Sequence, residues 1–297
     1  MHNDYIIANH RLRVVGSESD LTTLGLAAFT PFAVEYSADT ECDVEINLAC
    51  ELSFDSPLQE LTRFDFAEGD AECVFFRTED EYRLSISNKD SQPHIFSCRR
   101  NNTSSVRTNA GATTVNPSFL RFAIWFMVNI NLVQNQFAAV HSSAIICKDE
   151  VVLFLGESGT GKSTHTRLWR ENIEGATLLN DDSPFIGVCD GKATAFGSPW
   201  SGKTPCYKNE SYPIRAIVRL SQAPHNAMRR LRGVQAIGAL LPSLPPAFAF
   251  DERLEDCVMD VLSAIVGRVP VYHLECLPDA AAAELSYSTI YCNGDKE

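Results

Sequence analysis

The sequence predicts an α/β protein in which a mixed sheet carrying a phosphate-binding loop follows an antiparallel, β-rich N-terminal domain. Residues 151–155 (VVLFL) form a short apolar run typical of a buried strand, and a glycine-rich loop and a helical segment reaching Arg170 follow it. A second strand-like segment, residues 138–146, lies only a few residues upstream. We therefore expect the two segments to pair as an antiparallel hairpin, whereas the sheets of common phosphate-loop folds are parallel.

Length and charge suit two domains with different surfaces. The chain has 297 residues and a net charge of −13, and residues 1–110 carry 19 acidic and 9 basic residues. The small polar run 109–116 resembles a linker, so the predicted domains are 1–112 and 113–297. An acidic surface argues against nucleic acid as a partner.

The ten cysteines are scattered, and none lies in a C-x-x-C or Cys/His cluster. The N-terminal residues lack the basic segment and apolar core of a secretory signal. Residues 119–133 are apolar but too short to span a membrane, and they include Arg121. We therefore expect free thiols, a buried helix at 119–133, no membrane association and a cytoplasmic protein.

The N-terminal domain shows hairpin patterns. Residues 73–76 and 82–86 flank the charged turn 78–81, and residues 93–98 and 105–107 flank Asn101-Asn102. A short helix is expected within 21–32. This domain is interpreted either as a recognition or regulatory module or as a structural element that covers the core or forms a dimer contact, so a homo-oligomer is possible.

The predicted C-terminal domain continues in order from Pro117. Pro117 is suited to a helix N-terminus, ahead of a helix over 118–133. Asp190-Gly191 separates strand-like runs 185–189 and 193–196, a strong hairpin signal. Further strands are expected at 176–179, 214–220 and 269–274, and helices at 234–241, 254–266 and from Asp279, which would cap the last one.

Residues 156–163 match the phosphate-loop (P-loop, Walker A) pattern G-x-x-x-x-G-K-S. Its glycines allow the backbone to approach phosphate oxygens, and the following helix N-terminus favours an anion. Lys162 is expected to reach the β- and γ-phosphates of ATP, and Ser163 to bind Mg²⁺. The alternative is a tight glycine turn that binds nothing. The predicted nucleotide-binding residues are Gly156, Glu157, Ser158, Gly159, Thr160, Gly161, Lys162, Ser163 and Thr164.

Asp181 and Asp182 end an apolar strand about twenty residues after the loop. If that strand lies beside 151–155, both carboxylates approach the phosphates. Adjacent side chains point to opposite faces of a strand, so one aspartate can bind Mg²⁺ while the other faces an acceptor hydroxyl or a water. The alternative is an acidic turn or helix cap.

Two further candidates are weaker on sequence alone. His141 precedes the hairpin that leads into the loop, although a lone histidine near a strand is more often structural. Lys203 lies in a small-residue loop and is a tentative ligand for phosphate or an anionic substrate, although most loop lysines are only solvated.

Together, His141-Ser142-Ser143, the hairpin, the loop 156–163 and Asn180-Asp181-Asp182 resemble the catalytic domain of HPr kinase/phosphorylase and its relatives. The resemblance covers about residues 115–297 and implies the mixed sheet and flanking helices of the phosphoenolpyruvate carboxykinase-like fold. It implies ATP and Mg²⁺ binding, metal and general-base roles for Asp181 and Asp182, and an active-site position for His141.

The loop at 197–203 resembles the G-x-P-W-x-G-K loop of HPr-kinase-like proteins, which strengthens the interpretation of Lys203. The chain departs from true HPr kinases at Thr164, where they have glutamate, and it lacks their C-terminal glycine-rich signature. This departure argues against HPr as the substrate.

The sequence therefore favours an ATP- and Mg²⁺-dependent kinase that phosphorylates a hydroxyl of a small molecule or peptide. One alternative is a nucleotide-binding sensor or scaffold without catalysis. Another is a phosphohydrolase or phosphorylase, because the same groups can activate water or phosphate.

Overall fold

The computed structural model describes residues 1–18, 27–52, 57–66, 70–88, 91–111, 115–202 and 204–292. The contacts between Cα atoms divide the chain into two compact units. The first comprises Met1–Asn135 and Ala247–Glu255, and the second comprises Gln136–Pro246 and Asp256–Glu297. Each is described by itself. The helix that follows the linker falls in the first unit by this criterion, whereas the sequence places it after residue 112; the domain boundary itself stays a prediction.

The first unit contains a nine-stranded sheet in the order β3-β1-β2-β4-β9-β8-β7-β6-β5. Its strands are β1 (His2–Ile7), β2 (His10–Val15), β3 (Ala33–Val34), β4 (Val44–Asn47), β5 (Gln59–Phe66), β6 (Ala71–Arg77), β7 (Glu81–Ser87), β8 (His94–Arg99) and β9 (Asn102–Thr108). The hairpins β6–β7 and β8–β9 confirm the sequence-based pairs.

This sheet is not wholly antiparallel, so that part of the prediction is wrong. β4 pairs in parallel with both β2 and β9. Parallel neighbours need a long connection, and the 28 residues between β2 and β4 supply one. Residues Ala27–Phe32 within it form a 3₁₀ helix; most of the expected helix at 21–32 lies outside the described residues.

Helix α1 (Pro117–Gln134) packs on this sheet, as its apolar pattern predicts. The Asn116 side chain accepts from the Ser118 N–H, and Pro117 occupies the first turn. Phe126 forms edge contacts with Phe75 and Phe248. Among the described residues, no helix is both long and apolar enough to cross a membrane. All ten cysteines are free thiols.

The second unit is built on mixed strands. They are β10 (Phe137–Ala139), β11 (Ser142–Cys147), β12 (Glu150–Leu155), β13 (Thr177–Asn180), β14 (Phe185–Cys189), β15 (Lys192–Phe196), β16 (Ser211–Gln222), β17 (Ala227–Leu231) and β18 (Val271–Cys276). The order is β10-β14-β15-β16-β12-β11-β13, with β18 pairing β16 and β17.

The predicted hairpin before the loop is confirmed: β11 and β12 are antiparallel from Ser142–Leu155 to Cys147–Glu150. Lys148 and Asp149 at its turn both have positive φ, 53° and 58°. A two-residue turn of this kind matches the twist of the paired strands. On its other side β12 pairs in parallel with β16, so the sheet is mixed and the α/β class is confirmed. The carboxykinase-like detail stays a prediction.

The position of β13 corrects one expectation. β13 pairs antiparallel with β11, so it is separated from β12 by the hairpin strand. Two antiparallel steps leave β13 running in the same direction as β12. The ends of β13 and β12 and the start of β11 therefore meet at one edge of the sheet, which still brings Asp181 and Asp182 towards the loop.

Four α-helices and two 3₁₀ helices (Leu241–Ser243 and Pro246–Phe250) complete the described chain; the α-helices are α2 (Lys162–Asn172), α3 (Val234–Leu240), α4 (Glu252–Val266) and α5 (Ala280–Tyr291). Leu168 and Trp169 of α2 are buried with Phe154 and Val218 of the sheet and Ile290 of α5. Asp279 caps α5 by accepting from the Ala282 N–H, as predicted. This core fixes α2, and with it the loop, against the edge where the strands end.

Candidate active site

The glycine-rich loop joins β12 to α2, as the sequence predicts. Gly159 and Gly161 have φ of 82° and 108°, values that residues with a Cβ rarely adopt. Glu157 and Ser158 are exposed, and Thr160 donates its hydroxyl to the Glu157 carbonyl at 2.8 Å. The loop therefore presents backbone and the first turn of α2 rather than large side chains, an arrangement suited to an anion.

Lys162 is held inside the loop by three contacts. Its Nζ donates to the carbonyls of Gly156 at 2.8 Å and Glu157 at 3.3 Å, and lies 2.9 Å from Nε2 of His141. Burial lowers the pKa of Lys162, while the charges of Asp182 and Asp181 oppose that effect. An ammonium group only donates, so Nε2 of His141 accepts here and the ring proton lies on Nδ1.

His141 links the loop lysine to one of the two aspartates. Its Nδ1 lies 3.2 Å from Oδ1 of Asp182, and its backbone N–H donates to the Ser243 carbonyl at 2.7 Å. Asp182, His141 and Lys162 thus form a continuous chain of polar contacts. The backbone N–H of Ser142 also donates to the Asp182 carbonyl at 2.9 Å, which fixes the start of β11 beside the end of β13.

Asp181 has different partners. The hydroxyl of Ser163 donates to its two carboxylate oxygens at 3.2 and 3.3 Å, and the buried hydroxyl of Ser143 donates to Oδ1. The two adjacent carboxylates therefore have separate surroundings, one with hydroxyls and one with an imidazole.

Two residues of the site were missed as candidates by the sequence. Ser143 lies on β11 two residues after His141, which directly precedes that strand, so the period of two in extended backbone could have identified it. Asn180 accepts from the N–H groups of Asp182 and Ser183, and its amide donates to the Trp200 carbonyl at 3.1 Å. A side chain that forms hydrogen bonds with the backbone two and three residues ahead is typical of a turn. Here these bonds fix the backbone that carries Asp181 and Asp182.

The loop after β15 packs against the aspartates. A Cβ on Gly202 would lie 2.9 Å from the Asp181 carbonyl oxygen and 3.4 Å from Cβ of Asp182, so glycine permits this close approach. Lys203, the next residue, lies outside the described residues, and its proposed role stays a prediction.

A cavity of about 560 Å³ adjoins the loop on the side of α2. Gln222 donates its amide to the Gly159 carbonyl at 3.3 Å across one wall. Its size and mostly apolar lining suit a small organic ligand. The lining residues are Gly159, Thr160, Gly161, Thr164, His165, Leu168, Leu220, Gln222, Ala223, Cys276, Leu277 and Pro278.

The donor set fits Mg²⁺. The Asp181 carboxylate and the Ser163 hydroxyl are hard oxygen ligands, 3.2 Å apart. Within the described part of the chain, no group of three or more His, Cys, Asp and Glu side chains forms a metal site. Phosphate and water oxygens would therefore complete the coordination, as is usual for Mg²⁺ bound with a nucleotide.

No protein-family model and no curated protein matches this chain. Among solved structures, the HPr(Ser) kinase/phosphatase from Coxiella burnetii is similar at 12% sequence identity and a TM-score of 0.30. The match covers 52% of this chain and 95% of that chain. This is a distant structural relationship, and it bears on no single residue of the site.

Proposed function

We propose that this protein is an ATP- and Mg²⁺-dependent kinase that phosphorylates a hydroxyl group of a small molecule or peptide. The main support for this proposal is that the two aspartates at the phosphate loop have separate partners. Asp181 contacts the hydroxyl of Ser163, and Asp182 contacts His141, which contacts Lys162. Phosphoryl transfer needs both a metal-binding carboxylate and a base for the acceptor hydroxyl.

The loop and Lys162 would hold the phosphates, and the 560 Å³ cavity beside the loop would hold the nucleoside. Ser163 and Asp181 would hold Mg²⁺, which when bound neutralises charge on the phosphates. Asp182 would accept the proton of the acceptor hydroxyl. The acceptor oxygen then forms a bond to the γ-phosphorus, the bond from that phosphorus to the bridging oxygen breaks, and ADP leaves with the bond electrons.

His141 positions the base. Because its Nδ1 proton faces Asp182 and its Nε2 faces Lys162, it fixes the carboxylate relative to the lysine that binds phosphate. Such preorganisation lowers the barrier by holding the reacting groups in place.

Nucleotide binding and transfer are separable by mutation. Lys162→Ala should abolish the Mg²⁺-ATP-dependent rise in melting temperature, because it removes the buried cation of the loop. Asp182→Asn should keep that rise and lower transfer of labelled phosphate from ATP to acceptor fractions by at least about 100-fold, the usual scale for a general base. Asp190→Asn, at the turn between β14 and β15, is the matched control.

The proposal fails if the wild-type protein shows no Mg²⁺-dependent nucleotide shift, or if Lys162→Ala transfers phosphate at the wild-type rate. Phosphate release without an acceptor, at the rate seen with one, would identify a hydrolase instead. Unchanged transfer in Asp182→Asn would reassign the base.

A further inference from the structure

The sheet of the second unit has two different faces where β12, β16 and β18 end. Phe154, Val218 and Leu274 lie in the core beneath α2. Their strand neighbours alternate to the opposite face. Near the ends of β16 and β18 this opposite face carries polar side chains: Arg219, Ser221, His273 and Glu275 are each half-buried.

Arg219, Ser221 and His273 form a continuous group with Arg229 of β17, across three strands. His273 is in register with Arg219 on one side and with Arg229 on the other. The Ser221 hydroxyl lies 2.9 Å from Nε2 of His273. We call Arg219, Ser221, Arg229 and His273 the basic cluster.

The basic cluster has an unusual charge arrangement for a protein of net charge −13. Arginines flank one histidine on the two adjacent strands. Glu275, opposite Ser221 in register, supplies one carboxylate beside two arginines. Burial, followed by the charge of Arg229, lowers the pKa of His273, which favours the neutral ring. The Glu157 carboxylate of the phosphate loop also approaches Arg219, so the cluster is distinguished by its hydrogen-bond donors and not by a net positive charge.

The basic cluster lies next to the proposed transfer site. Arg219 Nη2 is 3.7 Å from Glu157 Oε1 in the phosphate loop, and its Nη1 donates to the Ala239 carbonyl at 3.2 Å. Four residues later, the Ser243 carbonyl accepts from the backbone N–H of His141. Residues 239–243 therefore contact both Arg219 and His141, and this segment links the cluster to the Lys162–His141–Asp182 chain.

We propose that the basic cluster binds an anionic group, a carboxylate or a phosphate, on the acceptor whose hydroxyl is phosphorylated. This inference rests on the proposed kinase function and specifies its substrate class: a hydroxyl compound that carries a second, negatively charged group. Arginine recognises both oxyanions through its planar set of donors. Arg229, exposed at the outer strand, would set specificity without touching the nucleotide.

The test titrates three probes into protein saturated with Mg²⁺ and the β,γ-imido analogue of ATP, so that the loop is filled. The probes are glycerol 3-phosphate, glycerate and glycerol, which share a hydroxyl and differ in charge. We expect both anions to bind at least tenfold more tightly than glycerol, and the ratio between them to show whether phosphate or carboxylate is preferred. Arg229→Ala should weaken anion binding by about tenfold, the effect of one charge-assisted contact.

Arg230→Ala is the matched control, because Arg230 follows Arg229 on β17 and points to the other face. It should leave anion affinity unchanged. Equal binding of glycerol and the anions, or equal losses in Arg229→Ala and Arg230→Ala, would overturn the proposal. Affinity for the ATP analogue is measured in every variant: retained nucleotide affinity without anion binding contradicts this inference alone, whereas absent nucleotide binding contradicts the proposed function.

Discussion

At the residue scale, the buried hydroxyl of Ser143 illustrates how the site separates its two carboxylates. Ser143 and Ser163 both donate to Asp181, whereas Asp182 faces His141. A carboxylate held by two hydroxyls keeps one orientation, and that orientation determines where a cation can bind.

Ser143→Ala should therefore weaken Mg²⁺-dependent nucleotide binding by about tenfold, since a hydrogen bond to a charged group contributes about 1.5–3 kcal/mol. Titrating Mg²⁺ at a fixed concentration of ATP measures the effect. Ser142→Ala is the control, because the Ser142 hydroxyl contacts the Val140 carbonyl. Identical Mg²⁺ affinities in the two variants would show that Ser143 does not orient Asp181.

His165 gives a prediction about pH. It is buried beneath the phosphate loop, its Nε2 is 3.2 Å from the Ser286 hydroxyl, and burial lowers its pKa to about 4. The unfolded chain protonates this histidine near pH 6.5. The stability that it contributes is complete above pH 6.5 and is lost as the pH falls towards 4, because the unfolded state then binds the extra proton.

Between pH 8 and pH 5 this one histidine lowers the free energy of unfolding by about 2 kcal/mol. Urea unfolding at both pH values measures it, and His165→Gln should show a smaller decrease by that amount. An equal decrease in the wild type and the variant would mean that His165 is not buried as a neutral ring.

At the scale of elements, the strand–loop–helix unit depends on backbone conformation rather than on side chains. A Cβ on Gly161 would meet no atom within 4 Å, but its φ of 108° is unfavourable for any residue with a Cβ. Gly238, inside α3, is likewise uncrowded, but its φ lies outside the left-handed region. Neither position is crowded, so any difference between alanine substitutions at Gly161 and Gly238 reports backbone conformation alone.

Gly161→Ala should destabilise the protein by about 1–2 kcal/mol and weaken nucleotide binding, because the strain lies at the start of α2. Gly238→Ala should be stabilising by up to about 1 kcal/mol, since alanine is the better helix former. Thermal unfolding with and without nucleotide compares them. A neutral Gly161→Ala would show that the loop tolerates another conformation.

At the scale of the whole molecule, the chain returns to its first unit at Ala247–Glu255. Asp251 anchors this return. It is fully buried and accepts from the Tyr82 hydroxyl at 2.8 Å and from Arg77 at 2.9 Å. Burial raises the pKa of Asp251, but these hydrogen bonds outweigh burial and hold the pKa below its usual value.

Asp251→Asn should lower the free energy of unfolding by about 2 kcal/mol, because an amide replaces a buried charge that Arg77, Arg100 and the Tyr82 phenol contact. Asp260→Asn, at an exposed position of α4, is the control. Chemical denaturation followed by circular dichroism measures both. Equal stability of the two variants would show that Asp251 does not stabilise this segment.

Much of the second unit was predictable because its signals are local. Glycines at 156, 159 and 161, Lys162 and Ser163 define the loop by spacing alone, and Asp190-Gly191 defines a hairpin by its turn chemistry. The parallel pairing of β4 and the place of β13 were not predictable. Both depend on which distant strands meet, and strand pairing across long connections leaves no pattern in the strands themselves.

By itself the sequence determined the α/β class, the hairpin in front of the phosphate loop and the identity of the candidate residues, because periodicity, turn residues and motif spacing act over a few residues. Only the tertiary structure decided that Asp181 contacts Ser143 and Ser163 while Asp182 contacts His141. It also decided that Arg219, His273 and Arg229 meet across three strands. These contacts join residues tens of positions apart, and strand register, which the whole sheet sets, brings them together.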